Sequence, residues 1–250
     1  MKLEGARILV TGGGRGLGRH LVERLVEHDA TVFVIDREQG LCSQLSSDFG
    51  GRVQSACVDV SDSASVSSVL GAVLDGGFEP DVLVNNAGII HSEPLVNMLA
   101  RSDRLHSLNN WRRVLATDLD SVFLVTRLVV DQMLRQRRKG LVVSVSSIAA
   151  EGNAGQSAYS AAKAGVNALT KTWAKELGPL GLRFAAIAPG FMDTFSTRSA
   201  LSEAVLTRLC NQIPLRRLGG PDAVFQALQY LIDNDYVTGT VLAVDGGITL

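Results

Sequence analysis

A short apolar run, Arg7-Ile8-Leu9-Val10-Thr11, leads straight into Gly12-Gly13-Gly14-Arg15-Gly16-Leu17-Gly18, and no other stretch limits the fold so tightly. Behind the glycines Leu17, Leu21, Val22, Leu25 and Val26 fall at helical spacing, so the unit reads as strand, tight turn, helix. Glycines in such a turn let the backbone bend sharply, approach a ligand closely and seat the helix start on the strand. The first amides of the helix lack intrahelical acceptors and suit phosphate oxygens. A glycine turn alone is equally a structural bend. The strand before it and the helix behind it are the context a pyrophosphate-binding turn requires.

The alternation continues along the chain. Thr31 to Ile35 makes a second strand ending in Asp36, eighteen residues after Gly18, close to where an acid meets the adenosine ribose hydroxyls in a dinucleotide fold. Val53 to Val58 reads as a third strand closing with Asp59-Val60, which places Asp59 beside the adenine edge. Asp81-Val82-Leu83-Val84-Asn85-Asn86-Ala87-Gly88 is an apolar strand of the type buried on both faces of a parallel sheet. A long helical pattern from Trp111 to about Arg138 comes next, then strands at Leu141 to Ser147, at Arg183 to Ala188 before Pro189-Gly190, and at Val241 to Val244. Seven strands alternating with helices predict an α/β, doubly wound parallel sheet with helices on both faces, its ligands beyond the carboxyl ends of the strands. At 250 residues, 46% hydrophobic, the chain suits a single domain over 1–250. The long connection 191–220, with Phe191, Met192 and Phe195, reads as a substrate loop or lid.

Ser157-Ala158-Tyr159-Ser160-Ala161-Ala162-Lys163 opens another helix and sets a phenol and an ammonium four residues apart, on one face. A free tyrosine ionises near pH 10, about three units too high for a base in neutral solution; a fixed cation close by stabilises the phenolate and makes Tyr159 a usable general acid/base. Twelve residues earlier stands Ser147, at the end of a strand, where a hydroxyl and Tyr159 together supply two donors to one carbonyl oxygen.

Other chemistry finds little footing. A formal charge of −1 gives no net attraction to nucleic acid or anionic lipid, and no run of eighteen apolar residues spans a membrane. Charges at Lys2, Glu4 and Arg7 sit where a signal peptide needs its apolar stretch, so the expected location is the cytoplasm. Cys42, Cys57 and Cys210, like the four histidines, lack metal-ligand spacing, and no metal is expected. The basic run Arg135 to Lys139 complements a helix C-terminus and reads as a solvated face.

Taken together these residues resemble the short-chain dehydrogenases/reductases over nearly the whole chain, a family with a Rossmann fold. Thr11 to Gly18 is similar to the family's cofactor turn, Asn85-Asn86-Ala87-Gly88 to its sheet-stabilising element, and Ser147, Tyr159 and Lys163 to its catalytic set. Pro189-Gly190 with Thr194, and Val237-Thr238-Gly239 with Asp245-Gly246-Gly247, match its C-terminal pattern. Ile213-Pro214-Leu215 and Arg217-Leu218-Gly219 most resemble the 3-oxoacyl-carrier-protein reductase-like members. The resemblance implies hydride transfer between a nicotinamide coenzyme and a ketone or secondary alcohol. Lys163 would hold the nicotinamide ribose, Ser147 would orient the substrate oxygen, and Tyr159 would pass the proton.

Coenzyme contacts are expected from Gly12, Arg15, Gly16, Leu17, Gly18, Asp36, Arg37, Asp59 and Val60, then from Asn86, Ala87, Gly88, Tyr159, Lys163, Pro189, Gly190 and Thr194. Asp36 favours NAD over NADP, which Arg15 and Arg37 partly accommodate. A homo-oligomer, a tetramer, is expected from the family, with small residues around the Tyr159 helix. The family's serine usually stands thirteen residues before the tyrosine, at Ser146, whereas the strand ends align Ser147, which we adopt. Asp118 occupies the position of an asparagine tied to a proton relay, and is counted with the catalytic set. The competing class is a coenzyme-binding sensor or scaffold of the same fold without turnover; an intact Ser147, Tyr159 and Lys163 favours the enzyme.

Overall fold

The computed structural model describes residues 1–200 and 202–248, with Phe195, Ser196 and Ala200 described in their backbone only. Leu201 within the expected lid, and Thr249 and Leu250 at the end of the expected domain, lie outside the described residues, as does the Phe195 side chain. Strands form where the apolar runs stand: β1 Arg7–Thr11, β2 Thr31–Asp36, β3 Val53–Cys57, β4 Val82–Asn85, β5 Gly140–Val145, β6 Leu182–Pro189 and β7 Thr240–Val244. All six pairings are parallel, in the order β3-β2-β1-β4-β5-β6-β7. Chain direction across the sheet reverses between β1 and β4, which opens a crevice at their carboxyl ends.

The period of two along each strand feeds two cores. Ile8, Val10, Val32, Val34, Val82 and Val84 face the helices Gly16–Glu27 and Pro221–Asp233, packing on Leu21, Leu25, Phe225 and Leu228. Leu9, Phe33, Ile35, Leu83 and Val142 face the other way, onto Leu70, Val129 and Met133 of the helical runs over 63–75 and 108–135. Burying each such side chain contributes about 1.5–3 kcal/mol relative to exposure, so both faces specify the register.

Three segments differ from the sequence expectation. The helix expected from Trp111 runs as Leu108–Leu115, a wide π turn Ala116–Asp120, and Ser121–Arg135. The connection 191–220 contains the helices Phe195–Ala200 and Glu203–Gln212. The basic run is a solvated face only in part: Arg138, half-buried, pairs with both Glu79 and Asp81, whereas Arg135, Arg137 and Lys139 are exposed, Arg135 pairing with Asp131 at 2.7 Å. Residues 89–107 form no helix; Asn97 N–H donates to the Arg104 carbonyl at 2.7 Å and His106 N–H to Leu95 at 3.0 Å, folding the segment back on itself. Among the described residues no helix is long and apolar enough to cross a membrane.

Candidate active site

The glycine turn is shaped by contacts that a Cβ would destroy. Gly12 sits at φ +67°, and a Cβ there would lie 2.8 Å from the Ala87 Cα; one on Gly18 would lie 2.0 Å from the Gly12 carbonyl oxygen. Asn86 locks the turn from β4, its side-chain amide donating to the carbonyls of Thr11 at 3.1 Å and Gly12 at 2.8 Å. The backbone amides of Asn86 and Ala87 both donate to the Thr11 hydroxyl, at 3.1 Å. The expected coenzyme residues Asn86 and Ala87 therefore also brace the turn.

Over the carboxyl ends of the strands lies a cavity of about 930 Å³. One end is walled by Gly12, Arg15, Gly16, Leu17, Gly18, Asp36, Arg37, Asp59 and Val60. Asn86, Ala87 and Gly88 stand at its middle, and Asp118, Ser147, Tyr159, Lys163, Pro189, Gly190 and Thr194 complete it. Every residue expected to contact coenzyme or to act in catalysis thus lines one space. Ile89, Thr117, Asn153, Gln156 and Thr197 line it too and were missed. Asn153 and Gln156 stand between Ser147 and Tyr159, so a chain that must return to the site within that interval was the available signal.

At the adenosine end Asp36 is buried, with Oδ2 accepting from Gly14 N–H at 2.9 Å and Oδ1 from Glu38 N–H at 3.1 Å. Arg15 pairs with Glu38 at 3.1 Å. Asp59 accepts from the Ser61 backbone amide and hydroxyl at 2.9 and 2.6 Å, past the end of β3. The close-packed glycines, the amides of a helix start and a carboxylate fixed at the end of β2 form a set that fits a dinucleotide.

At the other end Tyr159 and Lys163 project from one face of the helix Ser157–Leu177, both buried. The Lys163 ammonium donates to the Val145 carbonyl at 2.9 Å and lies 5.6 Å from the centre of the Tyr159 ring. Asp118, fully buried, is carried inward by the wide turn; its Oδ1 accepts from Ile89 N–H at 2.8 Å and its Oδ2 stands 3.6 Å from Lys163 Nζ. Ser147 caps a short turn, its Oγ accepting from Ala149 N–H at 3.1 Å, which leaves its own proton to donate. Ser146 is more deeply buried, and its hydroxyl is directed to the Lys163 carbonyl at 3.4 Å.

Burial pushes the Asp118 carboxyl above the usual aspartate range, and the opposing pull of Lys163 and of Ile89 N–H is weaker. The folded protein then holds this proton over a window where the unfolded chain has released it, and stability declines as pH rises through that window. We expect Asp118→Asn to gain stability relative to the parent as pH rises above the ordinary aspartate range, near pH 4, read by denaturant unfolding at several pH values. A difference that stays flat or shrinks with rising pH would contradict the burial effect.

Among the described residues no group of three or more His, Cys, Asp or Glu side chains is arranged to hold a metal. A family profile described as short chain dehydrogenase matches residues 6–204. The chain is 38% identical to the 3-oxoacyl-(acyl-carrier-protein) reductase of Thermotoga maritima, covering 100% of each chain, and 34% identical to that of Escherichia coli, covering 99% of each. A crystal structure of a provisionally assigned gluconate dehydrogenase from Agrobacterium tumefaciens superposes with a TM-score of 0.89 at 28% identity, over 99% of this chain and 97% of that one. With its parallel sheet, its glycine turn and a buried Tyr159–Lys163 pair in one cavity, this chain belongs to the short-chain dehydrogenase family, the nicotinamide-dependent oxidoreductases that act between hydroxyl and carbonyl groups.

Proposed function

We propose that the protein reduces a ketone, of the 3-oxoacyl thioester class, with NADH as the preferred coenzyme. The observation that carries this reading is the buried Lys163 ammonium beneath the Tyr159 ring, with the Ser147 hydroxyl in the same cavity. Full-length similarity to 3-oxoacyl-(acyl-carrier-protein) reductases supports the substrate class. The bound nicotinamide supplies the hydride. Tyr159 donates its proton to the oxygen on which negative charge develops, Ser147 donates a hydrogen bond to that oxygen, and Lys163 holds the ribose while favouring the phenolate that Tyr159 becomes. Asp118, in the same cavity wall, stands 3.6 Å from the Lys163 ammonium. A panel of 3-oxoacyl thioesters, simple ketones and secondary alcohols, followed by the absorbance of reduced nicotinamide, tests the assignment. Turnover of thioesters supports it; turnover of polyols alone would replace it.

We also propose a homotetramer. Ala161, Ala164 and Ala168 are exposed along one stripe of the Tyr159 helix and Phe123 is 50% exposed on the helix Ser121–Arg135, surfaces that permit close packing between copies. Ala158 and Ala162, by contrast, are buried within the subunit. Light scattering at micromolar concentration is expected to give four times the mass of the 26.6 kDa chain, and a monomer mass would rule the assembly out.

A further inference from the structure

The segment 89–110, without a helix over 89–107, carries a polar cluster outside the coenzyme site. Glu93 is its hub. Its Oε2 meets His91 Nε2 at 2.9 Å and accepts from the Asn110 side-chain amide at 3.0 Å, and its Oε1 accepts from Ser107 N–H at 2.9 Å. The Glu93 carbonyl lies 3.1 Å from His106 Nδ1, and His106 Nε2 approaches Oε2 at 3.8 Å. His91, the amide of Ser107 and Asn110 hold the carboxyl down at about 2, so it is ionised throughout the working range.

The hub is tied to the active-site wall. Glu93 N–H donates to the Gly155 carbonyl at 2.7 Å, and the Gln156 amide donates to the Ser92 hydroxyl at 3.1 Å. Gln156 in turn accepts from the Asn153 side chain at 2.9 Å, and Asn153 N–H donates to Ser160 Oγ at 3.2 Å, on the catalytic helix. Asn153 and Gln156 line the cavity, and Gln156 immediately precedes the helix that presents Tyr159. On the same side His106 stacks edge-on to Trp111 at 6.2 Å, and Trp111 packs on the cluster holding Tyr159. A carboxylate that gathers donors from positions 91, 107 and 110 restrains a segment without regular structure at a place where side-chain and backbone freedom would otherwise blur the wall.

We propose that Glu93 is a positioning residue: by fastening 91–110 to 153–156 it holds Asn153 and Gln156 as the polar wall that orients the substrate's second oxygen beside the reacting carbonyl. This rests on the reading of the cavity as a ketone site and names what selects the substrate there. The two amides already satisfy one another in part, and what they have left, an amide oxygen on Asn153 and one N–H on each, matches a carbonyl or hydroxyl neighbour such as a thioester carbonyl.

The test compares the parent with Glu93→Gln, which keeps shape and removes charge, and with His91→Ala, which removes one partner. Amide exchange is followed in the apoprotein and kinetics with S-acetoacetyl-N-acetylcysteamine. Glu93→Gln is expected to speed exchange about tenfold over both 91–107 and 153–157, with the central strands unchanged. KM for the thioester is expected to rise about fivefold or more, with kcat and coenzyme affinity within about twofold, and His91→Ala to shift the same quantities less. Faster exchange confined to 91–107 with KM unchanged would make Glu93 a local brace and overturn the proposal, as would no change in either. If the parent enzyme reduces no carbonyl probe with either coenzyme, the ketone reading fails, and exchange at 153–157 alone decides whether Glu93 holds that wall.

Discussion

Tyr159→Phe is expected to lose at least about a hundredfold in kcat, the lower end of what a positioned acid/base contributes, while coenzyme affinity stays within about twofold. The substitution removes one oxygen and leaves the ring, which packs with Val114, Ala149 and Ala158, so the fold and the cavity wall persist. Without that hydroxyl the alkoxide left by hydride addition must take its proton from water, in a site where Ser147 offers a hydrogen bond but no matched acid. Lys163→Ala should behave differently, lowering both rate and coenzyme affinity. Its ammonium is buried and bonded to the Val145 carbonyl, and its removal leaves that carbonyl and Asp118 without their cation. Steady-state rates and coenzyme titrations on the two variants separate the roles. A Phe variant with parental turnover would remove Tyr159 from the proton path.

Coenzyme choice is expected to turn on Asp36. The extra phosphate of NADP would bring roughly one and a half to two negative charges to the place where this carboxylate would receive ribose hydroxyls. At about 6 Å and an effective dielectric near 20, two unit charges repel by roughly 3 kcal/mol before screening, a factor of ten to a hundred or more in affinity. The local geometry strengthens the case. Asp36 is held by Gly14 N–H and Glu38 N–H, and Arg15, a cation of the turn that would offset the repulsion, is paired with Glu38. Arg37 remains in the wall and tempers the preference. The parent protein should show higher kcat/KM with NADH than with NADPH, and Asp36→Ala should narrow the gap chiefly by improving the NADP form. Some loss of stability is expected in that variant, because Gly14 N–H loses its acceptor. A parent enzyme that prefers NADPH would refute this role for Asp36.

Much of this architecture was legible because it depends on short-range patterns. Period-two apolar runs and the glycine turn specify β1, the first helix and the crevice, and Tyr159 and Lys163 meet because four residues on a helix share a face. The wide turn at Ala116–Asp120 was invisible: Val114, Val122 and Val125 keep an apolar stripe whether or not the helix widens, and only packing reveals that Asp118 turns inward to Lys163. The two helices within 191–220 are short, so propensity and apolar spacing said little about them. Glu93 was hidden for another reason, since its link to Gly155 and Gln156 joins segments far apart in the chain with no local signature. The choice between Ser146 and Ser147 turns on a single residue of loop length; both reach the cavity, and the orientation of their hydroxyls, not the spacing, favours Ser147 as the donor.

Hydride is expected to reach a carbonyl carbon in the cavity beside Tyr159. Incubating the enzyme with S-acetoacetyl-N-acetylcysteamine and NADH dideuterated at the nicotinamide C4, then locating the label by NMR, tests it most directly. One deuterium on the new carbinol carbon, formed by the parent and lost with Tyr159→Phe, is the predicted result; coenzyme oxidation with no deuterium on that carbon, or labelled product formed equally by both proteins, would contradict it.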